Sequence, residues 1–194
     1  ENFTTIPVRI PSNGLYAKLN QELFFKRYLP KYDFPNCDVK NNSVWSILQD
    51  GNDRIWICSP QSAIIIYENE NFRQLNFTLN ELINYGFNSE TAKKIIRAIN
   101  SPRTLSIDNN GFLWIGSRAN GIVVLDKELK CVKYISKKSG LKSNDIQCIF
   151  NDSKGAVWIG LANGLSRVSG NTIEKFDDFA ELNKSTYSIK EDNS

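Results

Sequence analysis

Thr104-Leu-Ser-Ile-Asp108-Asn-Asn-Gly111-Phe-Leu-Trp114-Ile-Gly116-Ser-Arg-Ala-Asn120-Gly121-Ile-Val-Val-Leu125 is a stretch this chain writes more than once. It returns from Ile146 to Val168, as Asp152-Ser-Lys-Gly155-Ala-Val-Trp158-Ile-Gly160-Leu-Ala-Asn163-Gly164-Leu165. A rougher copy runs from Val44 to Tyr67, with Asp50, then Trp56-Ile57, then Cys58 where the others have glycine. In all three the tryptophan follows the aspartate by six residues, and three of the four tryptophans fall in this register. A fixed period with a fixed internal order marks a repeat architecture.

Each copy reads as four short apolar runs separated by Asp, Asn, Gly and Ser clusters, the signal of strands joined by tight turns. One antiparallel meander of that size cannot bury both of its faces. Stacking successive meanders around an axis does, and the expected fold is an all-β propeller of four-stranded blades. Asp50, Asp108 and Asp152 read as turn residues whose side chains bond nearby backbone N–H groups. Gly111 and Gly155 supply positive φ in the same turns. Trp56, Trp114 and Trp158 read as the apolar bodies that fill the gap between sheets, with Gly116 and Gly160 completing the repeat grammar. Trp45 stands outside this register and is the one tryptophan considered for stacking on a sugar.

Between the repeats the chain divides as follows. Residues 1–42 read as a partial blade and linker: Val8 to Leu15 lines up with Trp158 to Leu165, Leu23 to Tyr28 would be its last strand, and a loop with Pro30 and Pro35 follows. Residues 43–77 form a blade, with strands expected near 43–48, 54–58, 62–67 and 71–77. Residues 78–102 break the pattern. Ser89 to Ile99 has a capping serine, an early Glu90, late basic residues and apolar residues at Ala92, Ile95, Ile96 and Ile99, which predicts a short amphipathic helix. Leu79 to Tyr85, stopped by Gly86, offers a second. Trp56 and Trp114 are 58 residues apart against 44 for Trp114 and Trp158, so the insertion is worth 14 residues. Residues 103–144 and 145–185 are further blades with their linkers. Residues 186–194 open another, Ser188-Ile189-x-x-Asp192 repeating Ser46-Ile47-x-x-Asp50. The chain therefore reads as a piece of a larger ring; the alternative is a closed four-bladed ring in which the final strand completes the worn first repeat.

The 194 residues are 41% hydrophobic and 23% charged, enough for a core, and the net charge of +3 carries no basic block that would argue for nucleic acid. No apolar run is long enough to span a membrane, and no secretory signal is visible. Without histidine and without a paired-cysteine motif, zinc sites are not expected, and neither are cofactors; Cys37, Cys58, Cys131 and Cys148 read as unpaired thiols. No nucleophile elbow, phosphate loop or dinucleotide fingerprint is present. Asp177-Asp178 reads as a solvated pair, so the segment is not expected to be an enzyme. A carboxylate-only glycosidase is the one enzymatic alternative.

The Asp-x-x-Gly-x-[Leu/Val]-Trp-Ile-Gly run followed by Asn-Gly-[Leu/Ile], together with Gly140-Leu141-x-Ser143-Asn144, resembles the two-component regulator propeller repeat. Cys58, the missing Asn-Gly after it and the helical insertion depart from the pattern. The resemblance implies a periplasmic sensor region of an inner-membrane hybrid two-component receptor. Further blades, an Ig-like domain and a histidine kinase would lie outside this segment, and a homodimer is possible. Its implied ligands are oligosaccharides. In a meander, alternate connections lie on opposite faces. The loops before Asn-Gly and the inter-repeat linkers then share a face with candidate ligand-binding residues Arg118, Asn120, Lys142, Asn144 and Asn163, whose planar or charged groups suit hydroxyl-rich ligands. The insertion should emerge on that face as a lid or a contact surface. A structural or protein-docking propeller without a small-molecule site is the alternative function.

Overall fold

The computed structural model describes residues 44–59, 63–176 and 184–192, together with the backbone of two strands near the start of the chain. Those two, β1 (Leu15–Lys18) and β2 (Phe25–Tyr28), pair antiparallel. The loop at 29–42 with Cys37, and the linker carrying Asp177-Asp178, lie outside the described residues.

Three four-stranded antiparallel meanders follow. The first is β3 (Ser46–Gln49), β4 (Ile55–Cys58), β5 (Ile65–Glu68) and β6 (Asn71–Gln74). The second is β7 (Pro102–Ile107), β8 (Leu113–Ser117), β9 (Ile122–Leu125) and β10 (Cys131–Ile135). The third is β11 (Ile146–Asn151), β12 (Val157–Leu161), β13 (Gly164–Ser169) and β14 (Thr172–Lys175). Each strand pairs only with its sequence neighbours, so every sheet is a propeller-type blade. The first blade's outer strands are shorter than the apolar runs suggest: beyond the end of β6 the Leu75 amide makes one more bond, to Ile64 O (2.8 Å), and Leu75 and Phe77 pack on the core.

Two apolar clusters hold the blades face to face. Trp56, Cys58, Ile64 and Ile66 of the first blade meet Leu105, Leu113, Ile115, Val123 and Leu125 of the second. Trp114, Val124 and Ile135 of the second meet Ile149, Val157, Ile159 and Val168 of the third. Both strands at the centre of each contact are buried on both faces, which is why β8 reads as a continuous apolar run rather than an alternation. A Cβ placed on Gly116 would lie 2.7 Å from Ile146 of the next blade's first strand, so glycine is what lets that strand approach. Gly160 meets Thr186 and Cys148 in the same way. Residues 184–192 thus lie against the third blade where β11 lies against the second. The Thr186 amide donates to Leu161 O (3.0 Å) and Glu191 accepts from Ser153. They form no strand of their own, since no described strand pairs with them.

The insertion folds as two helices, α1 (Leu79–Asn84) and α2 (Ser89–Ile99). Thr78 and Glu81 form a reciprocal capping box on α1. The cap of α2 is Asn88, whose side chain accepts from the Thr91 amide at 2.9 Å; Ser89 is already helical. Leu82, Ala92, Ile95, Ala98 and Ile99 are buried within the cluster shared by the first two blades, while Ile96 is only half-buried. The longer helix therefore packs on the second blade, against β8 and β9, within the apolar cluster that blade shares with the first. Tyr85 lies under Lys130 Nζ at 5.2 Å, beside the β9–β10 turn, so the pair runs along the flank of the blades.

Candidate functional site

The connections fall on two faces. One carries the β3–β4, β7–β8 and β11–β12 turns, all built alike. In each, the Asp side chain takes two backbone amides on Oδ1, from residues two and four further on, at 2.7–3.1 Å. Its Oδ2 takes the indole N–H six residues on: Trp56 to Asp50 (2.7 Å), Trp114 to Asp108 (2.9 Å) and Trp158 to Asp152 (2.8 Å). The fixed six-residue spacing is the signature of this bond, which a turn reading of the aspartates alone misses. Gly111 and Gly155 hold the left-handed position, and in the first blade Asp53 takes it (φ 59°). Burial pushes the Asp50 carboxyl up, but the indole, the Arg54 guanidinium and the backbone donors outweigh it and hold Asp50 below its ordinary value. The Trp158 indole leads in holding Asp152 down. These carboxylates are committed to the fold. A groove of about 390 Å³ between the first two blades, lined by Asp50, Arg54, Asp108, Asp126 and Lys127, opens on this face.

The opposite face carries the loops. Here the Arg118 amide donates to Ser101 O (3.2 Å), the Gly121 amide to Asn144 O (2.9 Å) and the Ala162 amide to Asp145 O (3.1 Å). Each blade's central loop is thereby tied to the segment entering a first strand. The five predicted residues do share this face, in different states. Arg118 and Asn163 are exposed. Asn120 Nδ2 reaches Ser101 Oγ at 3.3 Å and its amide donates to Ser117 Oγ. Asn144 Oδ1 accepts from the Lys137 amide at 2.7 Å, closing the loop whose short 3₁₀ turn ends at Gly140 and whose Leu141 plugs the second cluster. Lys142 in that loop is half-buried.

Sequence reasoning missed a second set. Arg103 pairs with Asp145 (3.0 Å), stands over the Trp45 ring at 5.1 Å, and Asp145 also accepts from Gln147 (3.4 Å). The available signal was position: Trp45, Arg103 and Gln147 each precede a turn aspartate by five residues.

The three described thiols offer no nucleophile. Burial pushes Cys58 and Cys131 up to about 12 and raises Cys148, and all three are unpaired. Among the described residues no cluster of three or more His, Cys, Asp or Glu side chains could hold a metal. None of the described helices is long and apolar enough to cross a membrane.

Residues 38–61 and 140–163 match the family model described as two component regulator propeller. In those two stretches the chain is similar to the two-component regulator propeller repeat. The matched stretches hold the first blade's Asp50 and Trp56, and the third blade from the Gly140-Leu141 loop through Asp152, Trp158 and Asn163. Among solved structures, the chain is similar to the extracellular domain of a putative one-component system from B. thetaiotaomicron. That match has TM-score 0.60 and 21% identity, covering 84% of this chain and 22% of that one. It is also similar to the extracellular domain of a putative hybrid two-component system from the same organism (0.56, 18%, covering 82% and 21%). A third neighbour is virginiamycin B lyase from Staphylococcus aureus (0.57, 14%, covering 85% and 48%). At these identities the likeness is one of fold, and it spans extracellular domains and a lyase alike. The chain spans about a fifth of the length of the two B. thetaiotaomicron domains. No curated protein matches it.

Proposed function

We propose that this chain is a propeller segment of the periplasmic sensor region of a hybrid two-component receptor. In this reading it contributes to recognition of an oligosaccharide and relays occupancy to a histidine kinase across the inner membrane. The observation that carries it is the pairing of two-component regulator propeller repeats with a loop face on which planar polar groups from three blades stand side by side. Such groups meet the paired donors and acceptors of vicinal hydroxyls. Further blades, an Ig-like domain and a second copy of the receptor are the partners this reading requires.

Titration calorimetry of the receptor's sensor region against oligosaccharides of graded length and charge tests it. Saturable binding of at least one glycan is the expected result. Binding of none, by a protein that melts cooperatively, would favour a propeller that docks proteins instead.

A further inference from the structure

The loop face holds one band that the fold does not need. Counting back five residues from each turn aspartate gives Trp45, Arg103, Gln147 and, in the segment against the third blade, Tyr187. At Arg103 and at Gln147 the ladder skips a residue. The β7–β8 register shifts between Pro102 and Thr104, and the β11–β12 register between Ile146 and Cys148. A bulge leaves its extra residue without a partner on the neighbouring strand and re-aims its side chain. Two blades carry it at the same place. Pro102 and Ile146 beside the bulges are buried, while Arg103 and Gln147 are half-exposed.

What the re-aimed side chains meet is polar and aromatic. Asp145 bridges the Arg103 guanidinium and the Gln147 amide, and Arg103 reaches back over Trp45. Gln147 Oε1, buried beside that amide, has no hydrogen-bond partner among the described residues. Trp45 is 40% exposed and Tyr187 70% exposed, the two large aromatic side chains most open to solvent among the described residues. A partly exposed ion pair adds little stability, and Trp45 fills no gap between sheets, so packing does not account for the set.

We propose that Trp45, Arg103, Asp145, Gln147 and Tyr187 form a sugar-binding band running across the first strands of successive blades. The inference rests on the oligosaccharide reading above and gives it a place. Aromatic rings at the two ends stack on the apolar faces of pyranose rings. Between them a guanidinium, a carboxylate and an amide supply fixed, planar donors and acceptors for ring hydroxyls. The spread over three blades and the following segment fits a chain of two or more sugar rings better than one. With Arg103 and Asp145 compensating each other, the band has no net charge and favours neutral glycans.

The test is binding of the sensor region, wild type and variants, to maltotriose, cellotriose, xylotriose, chitotriose and a uronic-acid disaccharide, with melting temperature recorded alongside. Trp45→Ala and Gln147→Ala are each expected to weaken the preferred neutral trisaccharide at least tenfold without lowering the melting temperature. Tyr187→Ala, on the exposed segment, guards against a folding effect in the other two. If wild type binds and all three variants bind equally well, the band is wrong and the oligosaccharide reading stands. If wild type binds only the uronic-acid sugar, the neutral assignment is overturned. If wild type binds no member, both the reading and the band fall.

Discussion

On the turn face the three blades repeat one another bond for bond; on the loop face the connections that leave the blades differ. Every turn aspartate takes two amides and an indole in the same geometry, and even Asp53 falls into the backbone conformation that glycine holds in the other copies. The corresponding loop-face connections are two helices after the first blade and a 3₁₀ turn with a buried leucine after the second. The repeated bonds are the ones that hold a sheet edge and its tryptophan in place. The varied ones begin only where the stacking is already secure. Stability and recognition are thereby assigned to opposite faces, and mutations on each should separate the two.

The largest effect should come from the packing tryptophans, and it should be graded by cover. Trp114 is 6% exposed beneath the third blade. Among the described residues Trp158 is covered by the 184–192 segment and Arg167; it is half-buried and leans on Phe176 at 5.2 Å. Trp114→Ala should cost about 3–5 kcal/mol in chemical denaturation, and Trp158→Ala roughly half of that. Equal losses would mean that the two interfaces are closed to the same degree.

Ile95→Ala comes next. If the helices are part of the shared core, truncating this fully buried side chain should cost about 2–5 kcal/mol. A value near zero would return the insertion to the surface.

Acid should weaken the turn face specifically. Asp50 and Asp152 are held below their ordinary 3.8 in the folded state. Their contribution is complete above that value and is lost as pH falls through the lower folded one. Stability followed downward should hold to about pH 4 and then decline. Asp50→Asn should flatten part of that decline.

The smallest effect belongs to the loop face: Arg118→Ala, at an exposed side chain, should change stability by no more than about 0.5 kcal/mol. A loss beyond 1 kcal/mol in denaturation would show that this face, too, is structural.

The turn face was legible from the chain alone because its bonds are local. Asp to Trp spans six residues, and a local bond leaves a fixed spacing. The apolar side of α2 was legible for the same reason, but what it packs on was not. What Ile95 packs on is set by contacts with β8 and β9, which no local pattern encodes. Asn144 looked like a free amide because its acceptor role is spent on the Lys137 amide, seven residues back across a loop. Arg103 and Gln147 were passed over because a strand reading alternates faces, and a bulge breaks that alternation without leaving a mark in composition.

Hydrogen exchange of the sensor region with and without a bound oligosaccharide tests the division of the two faces most directly. The account predicts slowed exchange at residues 101–103, 118–121 and 144–147, with the turns at 50–54, 108–112 and 152–156 unchanged. Protection confined to the turns would place the ligand in the groove beside Asp50 and Asp108 and contradict it.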